Sequence, residues 1–118
     1  MKTLHELARE YWTAEESRDV QRILSFFTHD ALWTGPGAAH LRGHQEIATF
    51  YEENGRKFPG LRVEVGRVFG GPTEAAVEWH AVLTDTDGND LAVSGVNLME
   101  RQANRFSRLE AFFDPSGF

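Results

Sequence analysis

Apolar residues recur every three to four positions through the first half of the chain and every second position through the second half. The first period is that of helices with one buried face, the second that of half-buried strands. Leu4, Leu7, Ala8, Tyr11 and Trp12 share a face over about 4–17. Thr3, followed three residues on by Glu6, opens that helix with a capping-box pattern. Asp19 stands as the N-cap of a second, short helix carrying Val20, Ile23, Leu24 and Phe27, and Thr28-His29-Asp30 closes it. Residues 31–34 predict a short strand that runs into Gly35-Pro36-Gly37, and a loop continues through His40 to Gly43. A third helix over about 44–55 carries Ile47, Ala48, Phe50 and Tyr51 and stops at Asn54-Gly55.

After the turn at Phe58-Pro59-Gly60, Leu61, Val63 and Val65 alternate with Arg62 and Glu64. Gly70-Gly71-Pro72 interrupts the run, and Ala75, Val77, Trp79, Ala81 and Leu83 then alternate with Ala76, Glu78, His80, Val82 and Thr84. Asp87-Gly88 marks a hairpin. Residues 90–100 and 105–113 predict two further strands, joined through Gln102-Ala103-Asn104. The expectation is an α+β domain spanning residues 1–118, in which a curved antiparallel sheet wraps around N-terminal helices. Leu61, Val63, Val65, Val77, Trp79, Asn97, Met99, Leu109, Ala111 and Phe113 are expected on its concave side. Val82, Val96, Leu98 and Phe112 form an apolar set on the outer side, with Glu78, His80 and Glu110 among them.

Composition narrows the function more by exclusion than by assignment. The chain has 118 residues and no cysteine, so Cys-based zinc sites, disulfides and Cys nucleophiles are ruled out. Net charge is −6, and 10 of the 12 basic residues are scattered arginines, which argues against a surface that tracks nucleic-acid phosphates. Apolar runs are too short for a membrane span, and the charged N-terminus lacks the apolar stretch of an export signal, so a cytoplasmic location is the default expectation. The acidic run from Asp85 to Asp90 has its glycine at position 4 and Val96 at position 12. It reads as a hairpin turn in place of a calcium loop. No histidine pair has metal-ligand spacing, and neither a metal nor a cofactor is expected.

The chain resembles the nuclear transport factor 2-like superfamily of cone folds, in its SnoaL-like and ketosteroid-isomerase-like branch. The resemblance rests on Asp19-Val20-Gln21-Arg22-Ile23-Leu24-Ser25-Phe26-Phe27, on Asp30-Ala31-Leu32-Trp33, and on Arg42-Gly43 with Ile47 and Phe50-Tyr51. Pro59-Gly60-Leu61-Arg62-Val63, Val77-Glu78-Trp79 and Phe112-Phe113-Asp114-Pro115 continue it to the end of the chain. It implies a cone with an internal pocket between the sheet and the helices, and homodimers formed through the outer sheet face. It specifies an activity poorly, because one fold hosts many.

Carried over residue by residue, the resemblance places Tyr11 at the position of the isomerases' helix 1 tyrosine and Tyr51 at that of a supporting tyrosine. Asn97 falls at the position of the acid that donates to the substrate carbonyl; the handed-down role survives in an amide that still donates. Gly35, just before Pro36, falls at the position of the general base, which is therefore missing. Gly35→Asp is expected to restore it, with positive φ at Gly35 as the obstacle. His40 is the nearest residue able to titrate near neutrality in its place, although a histidine between Ala39 and Leu41 is as readily a solvated loop residue. Asn97 is also placed to bridge Tyr11 and Tyr51 in a purely structural role.

Trp33, Phe50, Trp79, Met99 and Phe113 are then the expected pocket lining, with core packing as the alternative for each. His80, out of phase with Val77 and Trp79, is expected to face outward at a dimer interface. The resulting expectation is a pocket that binds a small, largely apolar ligand bearing a carbonyl or hydroxyl oxygen, steroid-like or polyketide-like. An isomerase or polyketide cyclase working by enolisation with another base, and a dimerisation module without a ligand, are the alternatives.

Overall fold

The computed structural model describes residues 2–37 and 39–118. Helix α1 (Leu4–Ser17) begins at the capping box: Thr3 accepts from the Glu6 N–H, and Glu6 accepts from the Thr3 N–H. It ends at Arg18, whose left-handed backbone lets its N–H reach the Glu15 carbonyl. Asp19 caps the short α2 (Val20–Leu24) through the Arg22 N–H.

Strand β1 (Phe27–Gly35) is longer than the sequence pattern suggests, because Thr28-His29-Asp30 belongs to it and does not close α2. The stretch read as loop holds a further strand, β2 (Ala39–Arg42), paired back onto β1. Four residues are too few for an alternation to show, and Gly35-Pro36-Gly37 is the turn of a hairpin. Helix α3 (Gly43–Lys57) continues past Asn54-Gly55; it stops at Phe58, where Pro59 forces the preceding residue out of helical geometry.

Strands β3 (Gly60–Gly70), β4 (Glu74–Thr84), β5 (Asp90–Gln102) and β6 (Arg105–Phe113) form the expected antiparallel meander. The sheet order is β2-β1-β6-β5-β4-β3, and β1 runs parallel to β6, so the six-stranded sheet is mixed. One extra residue in β3 between Val65 and Val68 and one in β6 between Phe106 and Arg108 shift the register, and such bulges bend a sheet. The free edge at β3 is partly covered: the Glu16 carboxylate accepts from the Val63 N–H at 2.8 Å. The Asp85–Asp90 segment is a hairpin turn, with the Asp85 carboxylate accepting from the Asp87 and Asn89 N–H groups.

Helix α1 rests on β3 and β4, α3 rests on β1 and β2, and α2 joins the two helices. Between them Phe27, Phe106, Tyr11 and Tyr51 form an aromatic cluster, Tyr11 meeting Phe27 and Phe106 edge-on at 5.7 Å. Phe27 and Phe106 are fully buried at the crossing of β1 and β6. Phe27→Ala removes the ring on which both tyrosines rest. It should cost about 3–5 kcal/mol, read as a shift of the urea midpoint without loss of a two-state transition.

Candidate functional site

The concave sheet face and the helices enclose a cavity of about 270 Å³. Trp33 of β1 and Phe50 of α3 form one wall, their rings 4.5 Å apart. Trp79 and Phe113 form the opposite wall, 5.7 Å apart, with Leu61, Val63, Leu83 and Leu109 between. The C-terminal 3₁₀ turn, Pro115–Gly117, brings Pro115 and Phe118 over the mouth, where Phe118 packs on Phe58 and Phe113.

Of the residues the sequence singled out, Tyr11, Tyr51, Asn97, Trp33, Phe50, Trp79 and Phe113 line this cavity together. Met99 does not. It sits deeper, opposite Leu109 and Ala75, packed in the core at 1% exposure. His40 does not either: it is exposed on β2 opposite Thr34, in an outer groove beside Glu110 and Phe112. Pairing of β2 with β1 turns it away from the tyrosines, so the geometry separates His40 from the residues it was expected to serve. His80 lies on the outer sheet face, hydrogen-bonded to Ser94 at 2.8 Å.

The base position is occupied, though not by a base. A Cβ on Gly35 would lie 2.8 Å from two ring carbons of Trp33. Glycine there lets the indole lie flat along the strand, and the backbone is not in the left-handed region that would strain an aspartate. The obstacle to Gly35→Asp is steric: a side chain at 35 displaces Trp33 from the cavity wall.

Asn97 does not bridge the tyrosines. Its Oδ1 accepts from Trp79 Nε1 at 2.9 Å, while its Nδ2 forms no hydrogen bond among the described residues, and Asn97 lines the cavity wall. A second glycine makes this possible, because a Cβ on Gly95 would meet the Trp79 ring at 2.5 Å. The Tyr11 and Tyr51 hydroxyls are hydrogen-bonded directly to each other. The Trp33 Nε1–H is buried beside Tyr51, with no partner at hydrogen-bond distance among the described residues.

Glu15 is the residue the sequence pattern concealed. It follows Tyr11 by four positions, so both point from the same face of α1, and it lines the cavity beside the two hydroxyls. Burial pushes its carboxyl up to about 7, against the pull of hydrogen bonding from Tyr11 and Tyr51 and of the Arg18 charge. Burial also raises both tyrosines well above their ordinary value, and the Glu15 charge adds to it. The Arg18 guanidinium is held by the Phe58 carbonyl at 2.5 Å. No group of three metal-ligating side chains occurs among the described residues.

The sequence matches the SnoaL-like domain over residues 8–109. The chain belongs to the SnoaL-like family. Among curated proteins, none matches this SnoaL-like chain. Its fold is shared with an NTF2-like protein of unknown function from Burkholderia pseudomallei, at a TM-score of 0.84 and 19% identity, covering 99% of this chain and 95% of that one. TerC co-crystallised with polyporic acid gives a TM-score of 0.81 at 21% identity, covering 96% and 92%. The epoxide hydrolase/cyclase-like enzyme SalBIII gives a TM-score of 0.81 at 19% identity, covering 94% and 90%. At these identities the likeness is one of fold.

In this SnoaL-like domain a carboxyl raised from 4.5 to about 7 has a stability consequence. Between those values the folded chain holds the proton and the unfolded chain has released it. Stability therefore falls as pH rises through the window, and the loss is complete above the folded value. Glu15→Gln cannot ionise. It should be more stable than the parent at pH 8 by about 1–3 kcal/mol and lose that advantage below pH 4.5, as measured by denaturant unfolding across pH.

Proposed function

We propose that the cavity binds a small, largely apolar ligand with a carbonyl or hydroxyl oxygen, steroid-like or polyketide-like in skeleton. The observation that carries this is Asn97 Nδ2, a donor without a partner among the described residues on an otherwise apolar wall, its carbonyl oxygen already used by Trp79. A donor that the protein leaves unused can give a ligand oxygen a hydrogen bond worth about 0.5–1.5 kcal/mol. The volume, about 270 Å³, lies near the small end of ligand pockets, roughly 300–1,000 Å³, and suits a few fused rings.

Family membership supports a small-molecule role, since structural neighbours include an enzyme of the epoxide hydrolase/cyclase type and a protein crystallised with polyporic acid. Glu15 favours a second reading, proton transfer during isomerisation or cyclisation by enolisation, because a carboxyl near 7 is suited to acid–base work at neutral pH.

Asn97→Leu should weaken calorimetric binding of a bicyclic ketone such as α-tetralone by about tenfold and leave binding of the hydrocarbon tetralin unchanged. Equal loss for both compounds would assign Asn97 to packing and remove the oxygen anchor.

Homodimer formation through the outer sheet face belongs to the same proposal. Leu98 and Phe112 are 43% and 51% exposed there, beside the partly buried Val96 that pairs with Phe112, with the partly buried Val82 farther along the same face. Phe112→Lys should convert a dimer at micromolar concentration into a monomer in analytical ultracentrifugation; a parent that sediments only as a monomer would contradict the proposed interface.

A further inference from the structure

We propose that Glu15 decides which kind of oxygen the cavity accepts: with its carboxyl neutral, the tyrosine pair can donate to a ketone, so that ketone binding draws a proton onto Glu15. This rests on the reading of the cavity as a site for an oxygen-bearing ligand and adds the protonation state in which the site is filled.

The Tyr11 and Tyr51 hydroxyls carry one proton each, and whichever way their mutual hydrogen bond points, it uses one of the two. The other hydroxyl proton has two destinations, the Glu15 carboxyl beside the pair or a ligand in the cavity they all line. An ionised carboxylate only accepts, and hydrogen bonds to charged acceptors are roughly twice as strong as neutral ones. Glu15 in that form holds the second proton, and the pair shows the cavity only lone pairs. A neutral carboxyl brings a proton of its own and donates it into the pair, which frees a hydroxyl proton to turn toward the ligand.

An alcohol both gives and takes a hydrogen bond, so it pairs with either state. A ketone only takes, and it meets a tyrosine donor in the neutral state alone. Asn97 Nδ2 is a donor in both states, so ionisation of Glu15 weakens the ketone complex without abolishing it.

The charges acting on Glu15 come from its own helix, Arg18 and Glu16, and the remaining titratable groups facing it are the two tyrosines. The packed strands turn Leu61 and Val63 of β3 and Trp79 and Ala81 of β4 toward the cavity, with Arg62, Glu64, Glu78 and His80 on the opposite face. On α2, Arg22 is exposed. Because Glu15 titrates at about 7, the exchange falls within an accessible range.

The experiment compares α-tetralone with α-tetralol by calorimetry from pH 6 to pH 8, in two buffers of different ionisation heat. The ketone should bind the parent about three- to tenfold more weakly at pH 8 than at pH 6, the worth of one neutral hydrogen bond. Its binding near pH 7.5 should take up a fraction of a proton, seen as a buffer-dependent heat. The alcohol should show neither effect. Glu15→Gln, whose amide donates to the pair at every pH, should bind the ketone with a pH-independent affinity near the parent's value at pH 6. No histidine lines the cavity, and a pH dependence that persists in Glu15→Gln would overturn the proposal. So would a ketone affinity that is flat with pH in the parent, or an alcohol that behaves like the ketone. Binding that is flat with pH leaves the ligand reading standing; absence of binding by both probes at every pH removes that reading and this inference together.

Discussion

The hydroxyl–hydroxyl bond between Tyr11 and Tyr51 is the contact on which the interior is organised. Helices α1 and α3 rest on different strands of the sheet, and this bond closes the space between them with polar atoms where packing would otherwise need apolar ones. Buried hydroxyls require partners, and each tyrosine supplies the other's. The Tyr11 ring is held edge-on by Phe27 and Phe106, and the Tyr51 ring lies tilted against Phe27, so the aromatic core fixes the position of the polar pair, and the pair in turn sets the hydroxyls beside Glu15. The cavity begins where this cluster ends.

Glycine shapes the rest of the lining. Absence of a side chain at positions 35 and 95 lets the indoles of Trp33 and Trp79 lie against their neighbouring backbone. Two of the largest residues thereby form flat walls and do not fill the interior. The Trp79 orientation is fixed further by its hydrogen bond to Asn97, which leaves the amide with one function spent and one open. A polar group half satisfied by the protein is a natural place for a ligand atom.

Most of the fold was legible because periodicity is a packing signal. Helix α1, the cap at Asp19, and the alternation from Leu61 to Phe113 follow from which residues must leave water. Two features escaped for local reasons. Strand β2 is four residues long and follows Gly35-Pro36-Gly37, so turn chemistry masked a hairpin arm. The end of α3 is set by Pro59, and Gly55 is tolerated inside the helix at a cost of about 1 kcal/mol. At the site, Tyr11, Tyr51 and Asn97 were readable from their place in the family pattern. Glu15 was not, because Glu15-Glu16 looks like a solvated pair at a helix end; the overlooked signal was its four-residue step from Tyr11. Its neighbour Glu16 faces the edge of β3, so adjacent identical residues serve opposite surroundings.

The three tryptophans of the chain, Trp12, Trp33 and Trp79, all border the same cavity. Indole emission depends on the polarity and quenchers around the ring, and here there is no surface tryptophan to dilute the signal. The intrinsic fluorescence of the protein is therefore a spectrum of its interior void. Water entering that void, an ionising carboxyl beside it or a molecule filling it each act on the same three emitters, so the cavity can be watched in the unlabelled protein.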